Sequence, residues 1–182
     1  MAVYNRSHPR VEASQWIYQN IPESASLSFE YWDDALPLPL PNIATRYNII
    51  QLSPYDPESE EKWTRMKESL DKIDYVVLSS NRVYGSTSQL PERYSATNQY
   101  YRSLFDGSLG FKKVAEFTSR PTILLPFIKI CLTPPFQSYG LVAQPSQECQ
   151  GQGIAIIDDY ADETFTVYDH PKVLIFKKNQ KT

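Results

Sequence analysis

DYVVLSSN, residues 74–81, decides the fold. Its apolar run from Tyr75 to Leu78 does not alternate with polar residues, and an unbroken run of this length suits a strand buried on both faces of a parallel sheet. The residues before it predict a helix. Asp56 and Pro57 form a start signal, Glu58, Glu60 and Glu61 favour the positive helix end, and Trp63, Met66, Leu70 and Ile73 fall on one face. A helix followed by a doubly buried strand is an α/β pattern.

The pattern extends in both directions. Upstream, Ser7 and Pro9 predict the start of a helix that presents Ala13, Trp16 and Ile17 and stops at Asn20. SASLSF then reads as a short strand, with Ser26, Ser28 and Glu30 alternating with Leu27 and Phe29, and RYNIIQL as another. Downstream, a helix is expected from Ser95 to Asp106 with Tyr101, Leu104 and Phe105 inward and Gly107 as its left-handed cap. FKKVAEFTS is the next strand. Residues 119–153 carry Pro121, Pro126, Pro134, Pro135 and Pro145 and read as an irregular insertion. TFTVYDH and KVLIFKK, separated by Pro171, read as a terminal antiparallel pair. The expected architecture is a single α/β domain over 1–182: a three-layer sandwich with a mainly parallel sheet, an antiparallel C-terminal strand pair and a proline-rich insertion.

Composition bounds the function. The chain has 182 residues, 41% of them hydrophobic and 21% charged, which is ordinary for a globular domain of one core. Thirteen Tyr, eight Phe and three Trp serve a core first, and also suit contact with sugars or a membrane interface. A net charge of -3 without a basic block argues against a nucleic-acid partner. Cys131 and Cys149 are too few for a disulfide scaffold and wrongly spaced for zinc; they form one bridge or remain two buried thiols. No apolar run is long enough to span a membrane, ILLPFIKICL at 123–132 being interrupted by Pro126 and Lys129. The opening MAVYNRSHPR lacks the apolar core of a signal peptide, so the chain is expected to be either cytoplasmic or a piece of something longer.

Ligands of such sheets sit beyond the carboxyl ends of the strands, here EYWDD, LSPYD and LSSNRVYG. Asp33 and Asp34 suit either a hard metal ion and acid-base work or a helix cap. IIDDYADE, with Asp158, Asp159, Asp162 and Glu163, has the oxygen donors of a cation site in a loop but lacks the glycine and spacing of an EF-hand loop, and reads by default as a solvated acidic turn. In SSNRVYGS, Ser79, Ser80, Asn81 and Arg82 have the chemistry to bind a sugar or phosphate, with Tyr84 near for stacking, and are also ordinary turn formers. His8 and His170 lack a partnered nucleophile and are expected in structural hydrogen bonds. No dinucleotide fingerprint, P-loop or G-x-S-x-G elbow occurs, GQG at 151–153 lying in the insertion, and no cofactor is implied.

Four stretches together, SHPRVEASQWIYQNIP, EYWDDALPLPLP, DYVVLSSNRVYG with LPERYSATNQYYRSLFDGSLGFKKVAEFTS, and ADETFTVYDHPKVLIFKK, carry a family resemblance. They resemble the soluble C-terminal region of bacterial multi-pass glycosyltransferases of the family 39 type, relatives of the protein mannosyltransferases. The resemblance runs through residues 5–120 and 158–178 and is weakest in the insertion. It implies membrane helices upstream, an extracytoplasmic position at the cell membrane, and catalytic acids in the membrane part, so that EYWDD takes no catalytic role. The expected partners are the membrane-embedded part of the parent protein and a glycan or lipid-linked sugar, with Tyr31, Trp32 and Tyr84 stacking on rings and Asn81 and Arg82 hydrogen-bonding. Two rivals remain: a small metal-dependent hydrolase or transferase using Asp33 and Asp34 with Asp56, and a structural module packing through ILLPFI and the insertion.

Overall fold

The computed structural model describes residues 6–41, 43, 47–132, 152–159, 161 and 163–179. Pro134, Pro135, Pro145, Cys149, Gly151 and Asp162, which figured above, lie outside the described residues.

The chain is a three-layer α/β sandwich. Its main sheet has the order β2-β1-β3-β8-β4, built from β1 (Ser26–Glu30), β2 (Asn48–Leu52), β3 (Tyr75–Leu78), β4 (Phe111–Phe117) and β8 (Val173–Lys178). β2, β1 and β3 run parallel, and β8 is antiparallel to both β3 and β4. β3 is buried along its whole length, as its apolar run requires. Val76 and Leu78 enter one core with Leu174 and Phe176 of β8, while Tyr75 and Val77 enter the other with Val173 and Ile175. Alternate side chains of a strand point to opposite faces, so two cores on one strand mean helices on both sides of the sheet.

One side is covered by α1 (Pro9–Asn20), whose Ala13 and Ile17 are fully buried. α2 (Glu60–Lys72), α3 (Arg82–Thr87) and α4 (Ser95–Phe105) contribute Met66, Val83, Tyr101 and Leu104 to the other core. Trp63, Leu70 and Phe105 pack on its rim, and Gly107 takes the expected left-handed conformation after α4. Among the described residues no helix is long and apolar enough to cross a membrane.

Several boundaries differ from expectation for local reasons. His8, not Ser7, caps α1, its Nδ1 accepting from Arg10 N at 3.3 Å. Ser59, not Asp56, caps α2, because Lys62 holds the preceding loop outside the helix. The buried Lys62 ammonium donates to the carbonyls of Pro54 and Asp56 and to Thr97 Oγ1, at 2.7, 2.9 and 2.8 Å. Ser28 and Glu30, the polar face of β1, are buried because β1 lies inside the sheet rather than at its edge. SSNRVYGS, whose residues are also ordinary turn formers, begins α3 at Arg82.

The C-terminal antiparallel pair has a different partner. Glu163–Thr166 form a short helix, α5, and β8 pairs instead with β3 and β4. The 119–153 insertion contributes regular structure as well: β5 (Thr122–Ile123), β6 (Lys129–Leu132) and β7 (Gly153–Ile156) make a small sheet of order β5-β7-β6. Pro121 and Pro126 lie outside these strands, so they interrupt no ladder. Cys131 is disulfide-bonded.

Candidate functional site

The parallel strands β1, β2 and β3 end on one side of the molecule. Because β8 runs antiparallel, with Leu174 opposite Leu78, its approach through residues 163–172 arrives at that same side. Four segments therefore meet beyond the strand ends.

The acidic pair is a brace. Asp33 has a side chain only 2% exposed, and its Oδ1 accepts from Arg10 Nη2 at 2.9 Å while Oδ2 takes a short hydrogen bond from Ser80 Oγ. Asp34 is 65% exposed and pairs with Arg10 Nη1 at 2.7 Å. Arg10 Nε also donates to the Ser79 carbonyl at 3.2 Å, and Ser79 Oγ to the Asp34 carbonyl at 2.6 Å. One guanidinium thus ties the start of α1 to the ends of β1 and β3. Both Asp33 oxygens are occupied by donors, and Asp56 faces Arg65 at 3.7 Å. Among the described residues no three His, Cys, Asp or Glu side chains come together as a metal site.

The brace presents Trp32. Its backbone has φ 81°, a left-handed conformation that costs a bulky residue about 1–3 kcal/mol. Its ring is 60% exposed with Tyr31 beside it, the centroids 4.9 Å apart. The Trp32 carbonyl accepts a short hydrogen bond from Arg82 Nη1. Arg82 Nη2 donates to Tyr168 Oη at 3.0 Å, and the guanidinium lies 5.4 Å from the Tyr168 ring centre. Beyond this contact opens a groove of about 360 Å³, lined by Trp32, Tyr55, Arg82, Ser86, Thr164, Val167 and Tyr168. Three aromatic rings, one cation and two aliphatic hydroxyls share one wall system.

The candidate residues thus divide. Trp32 and Arg82 line the groove, with Tyr31 against Trp32; Asp33 and Asp34 hold it together from behind. Asn81 and Tyr84 are buried and do not reach it. Asn81 Oδ1 accepts from Thr166 Oγ1 at 3.1 Å, and Tyr84 packs on Tyr101 and Phe105 with ring centres 5.8 and 5.4 Å away. Burial pushes the Tyr84 phenol well above its usual range, so it stays neutral. Once Arg82 begins a helix, Tyr84, two residues later, turns inward. Tyr55, Tyr168 and Arg10 were missed. Tyr55 lay in a strand-end stretch and was within reach of the strand-end rule, whereas Tyr168 sat in a presumed strand and Arg10 gave no signal at all.

Behind the groove lies a second polar cluster where a solvated acidic turn was expected. Asp159 is buried between Arg120 and Lys172, both at 2.9 Å, and Asp158 meets His170 Nε2 at 2.7 Å. Burial works to raise the Asp159 pKa, but the two cations outweigh it and hold the carboxyl below its usual range. A narrow space of about 10 Å³ adjoins the cluster, room for about one water. Ser119 Oγ and His170 Nδ1 border it, both buried without a protein partner. Both histidines serve in hydrogen bonds, His8 also reaching the Tyr168 carbonyl at 3.1 Å.

Glu30, at the end of β1, is fully buried. Desolvation raises its pKa to about 8, the hydrogen bond from Tyr101 Oη at 2.6 Å opposing this and the nearby Asp33 adding to it.

Comparison with known proteins found no matching family, curated protein or solved structure.

Proposed function

We propose that this domain binds a glycan or a lipid-linked sugar in the groove between Trp32 and Tyr168, as an extracytoplasmic accessory domain of a membrane glycosyltransferase whose catalytic centre lies elsewhere. The groove itself carries the reading: exposed aromatic faces opposite a guanidinium, at the carboxyl ends of the parallel strands. Aromatic faces stack on the apolar side of a sugar ring, and the hydroxyls of Ser86 and Thr164 suit its polar rim. Arg82 has five N–H donors, of which two contact Trp32 and Tyr168, and a guanidinium is suited to a sugar phosphate. The sequence resemblance supplies the membrane setting, and the disulfide at Cys131 fits an oxidising compartment.

The test is titration of the chain with mannose, oligosaccharides and a soluble isoprenyl phosphate sugar, followed by NMR. Shifts centred on Trp32, Tyr55 and Tyr168 that vanish in Arg82→Ala are expected. An unchanged spectrum at millimolar ligand would overturn the binding role. The metal-dependent rival has no geometric support, since Arg10 and Ser80 occupy both oxygens of Asp33.

A further inference from the structure

The small sheet β5-β7-β6 carries its aliphatic side chains on the outside. Ile154 of β7 sits opposite Ile123 of β5 and opposite Ile130 of β6, and Ile156 sits opposite Leu132. Residues two apart on a strand share a face, so these five aliphatic side chains form one surface in two rows. Ile123 is 63% exposed, and Ile130, Leu132 and Ile156 are exposed as well. The opposite face carries Thr122, Ala155 and Cys131, and Ala155 is the buried member. The usual arrangement of a sheet is inverted.

The turn joining β5 to β6 continues this surface into a convex tip. Leu124 is 68% exposed, Ile128 is exposed, and Phe127 is 98% exposed at φ 65°. A side chain standing that far out of the surface is matched by a deformable apolar medium, or else by a deep pocket. Charge separates these occupants. From Pro121 to Leu132 the one charged residue is Lys129, exposed beside the tip, and no carboxylate occurs, although the whole chain has 21 Asp and Glu against 18 Lys and Arg. An apolar tip flanked by a cation and free of anions complements an anionic phospholipid surface, where apolar side chains enter the acyl boundary and lysine stays among the headgroups.

We propose that the β5–β6 tip and the aliphatic face of the small sheet dock on an anionic lipid bilayer, with Phe127 and Leu124 as the inserting residues. The contact is independent of the groove, because none of its residues lines that site.

Flotation with vesicles of phosphatidylcholine mixed with phosphatidylglycerol tests it. The intact chain should float with the mixed vesicles and less with phosphatidylcholine alone. Phe127→Asp should weaken flotation about ten-fold or more, the loss expected when a large apolar group no longer leaves water. Phe127 makes its exposure in a turn, so unchanged circular dichroism is expected, and Phe127→Trp should retain flotation with quenching by brominated lipid. Arg82→Ala should float like the parent, which separates this contact from glycan binding. Flotation equal in the parent and Phe127→Asp would overturn the proposal. So would a concentration-dependent dimer, seen by sedimentation without vesicles and abolished by Phe127→Asp, which would make the face a self-association surface.

Discussion

Arg10 and Asp33, 23 positions apart in the chain, meet at 2.9 Å in a brace where the Asp33 side chain is only 2% exposed. Replacing Arg10 leaves that carboxylate buried without its cation, whereas the exposed pair with Asp34 contributes little. Arg10→Ala is expected to lower stability by about 3 kcal/mol in urea unfolding. Asp34→Ala should change it by less than about 1 kcal/mol. Equal losses in the two variants would contradict the brace.

Trp32 sets function against stability. Its left-handed backbone suits glycine, and its carbonyl bond to Arg82 does not depend on the side chain. Trp32→Gly should therefore raise the unfolding free energy by about 1 kcal/mol while removing ring stacking from the groove. A destabilised Trp32→Gly protein that retains ligand binding would count against both statements.

Glu30 makes stability fall with rising pH. The unfolded carboxyl titrates near 4.5 and the folded one at about 8, so between these values the folded state keeps a proton that the unfolded chain has released. Its contribution is full below pH 4.5 and is lost as pH rises through about 8. Glu30→Gln keeps an acceptor for Tyr101 without a charge. Across that window the variant should gain a few kcal/mol relative to the parent, seen as a rising difference in urea midpoints. A difference independent of pH would show that Glu30 is already ionised.

Gly153 permits the small sheet to close. It has φ +121°, and a Cβ built there would lie 2.1 Å from the Ile123 carbonyl oxygen. Gly153→Ala must push β5 away from β7. Hydrogen exchange should speed up at Ile154 and Ile156 while β3 and β8 stay protected, with about 2 kcal/mol lost locally. Unaltered exchange in β7 would rule out the close approach.

Much of the frame was legible in the sequence because it rests on periodicity. The apolar run of β3, the spacing of Trp63, Met66, Leu70 and Ile73, and the glycine after α4 each report local geometry that neighbours only reinforce. Misread segments were those where a distant partner overruled the pattern. TFTVYDH alternates like a strand, yet β8 takes β3 and β4 as neighbours, and residues 163–166 are free to wind into α5. The Asp158 and Asp159 stretch looked like a solvated turn until Arg120 and Lys172 closed on it.

The candidate site divides the same way. Trp32 and Arg82 could be found from the strand-end rule, since the end of a parallel strand is a local fact. Tyr168 reaches the groove only because β8 runs antiparallel, and Asp33 became a brace only because α1 brings Arg10 to it. The sequence by itself determined the five strands of the main sheet and the helices α1, α2 and α4, because backbone sterics and the 3.6 and 2.0 periods act over a few residues. Only the tertiary structure decided which charges are paired, which polar groups are buried and which rings share a groove. Those depend on the order β2-β1-β3-β8-β4, which sets residues far apart in the chain side by side.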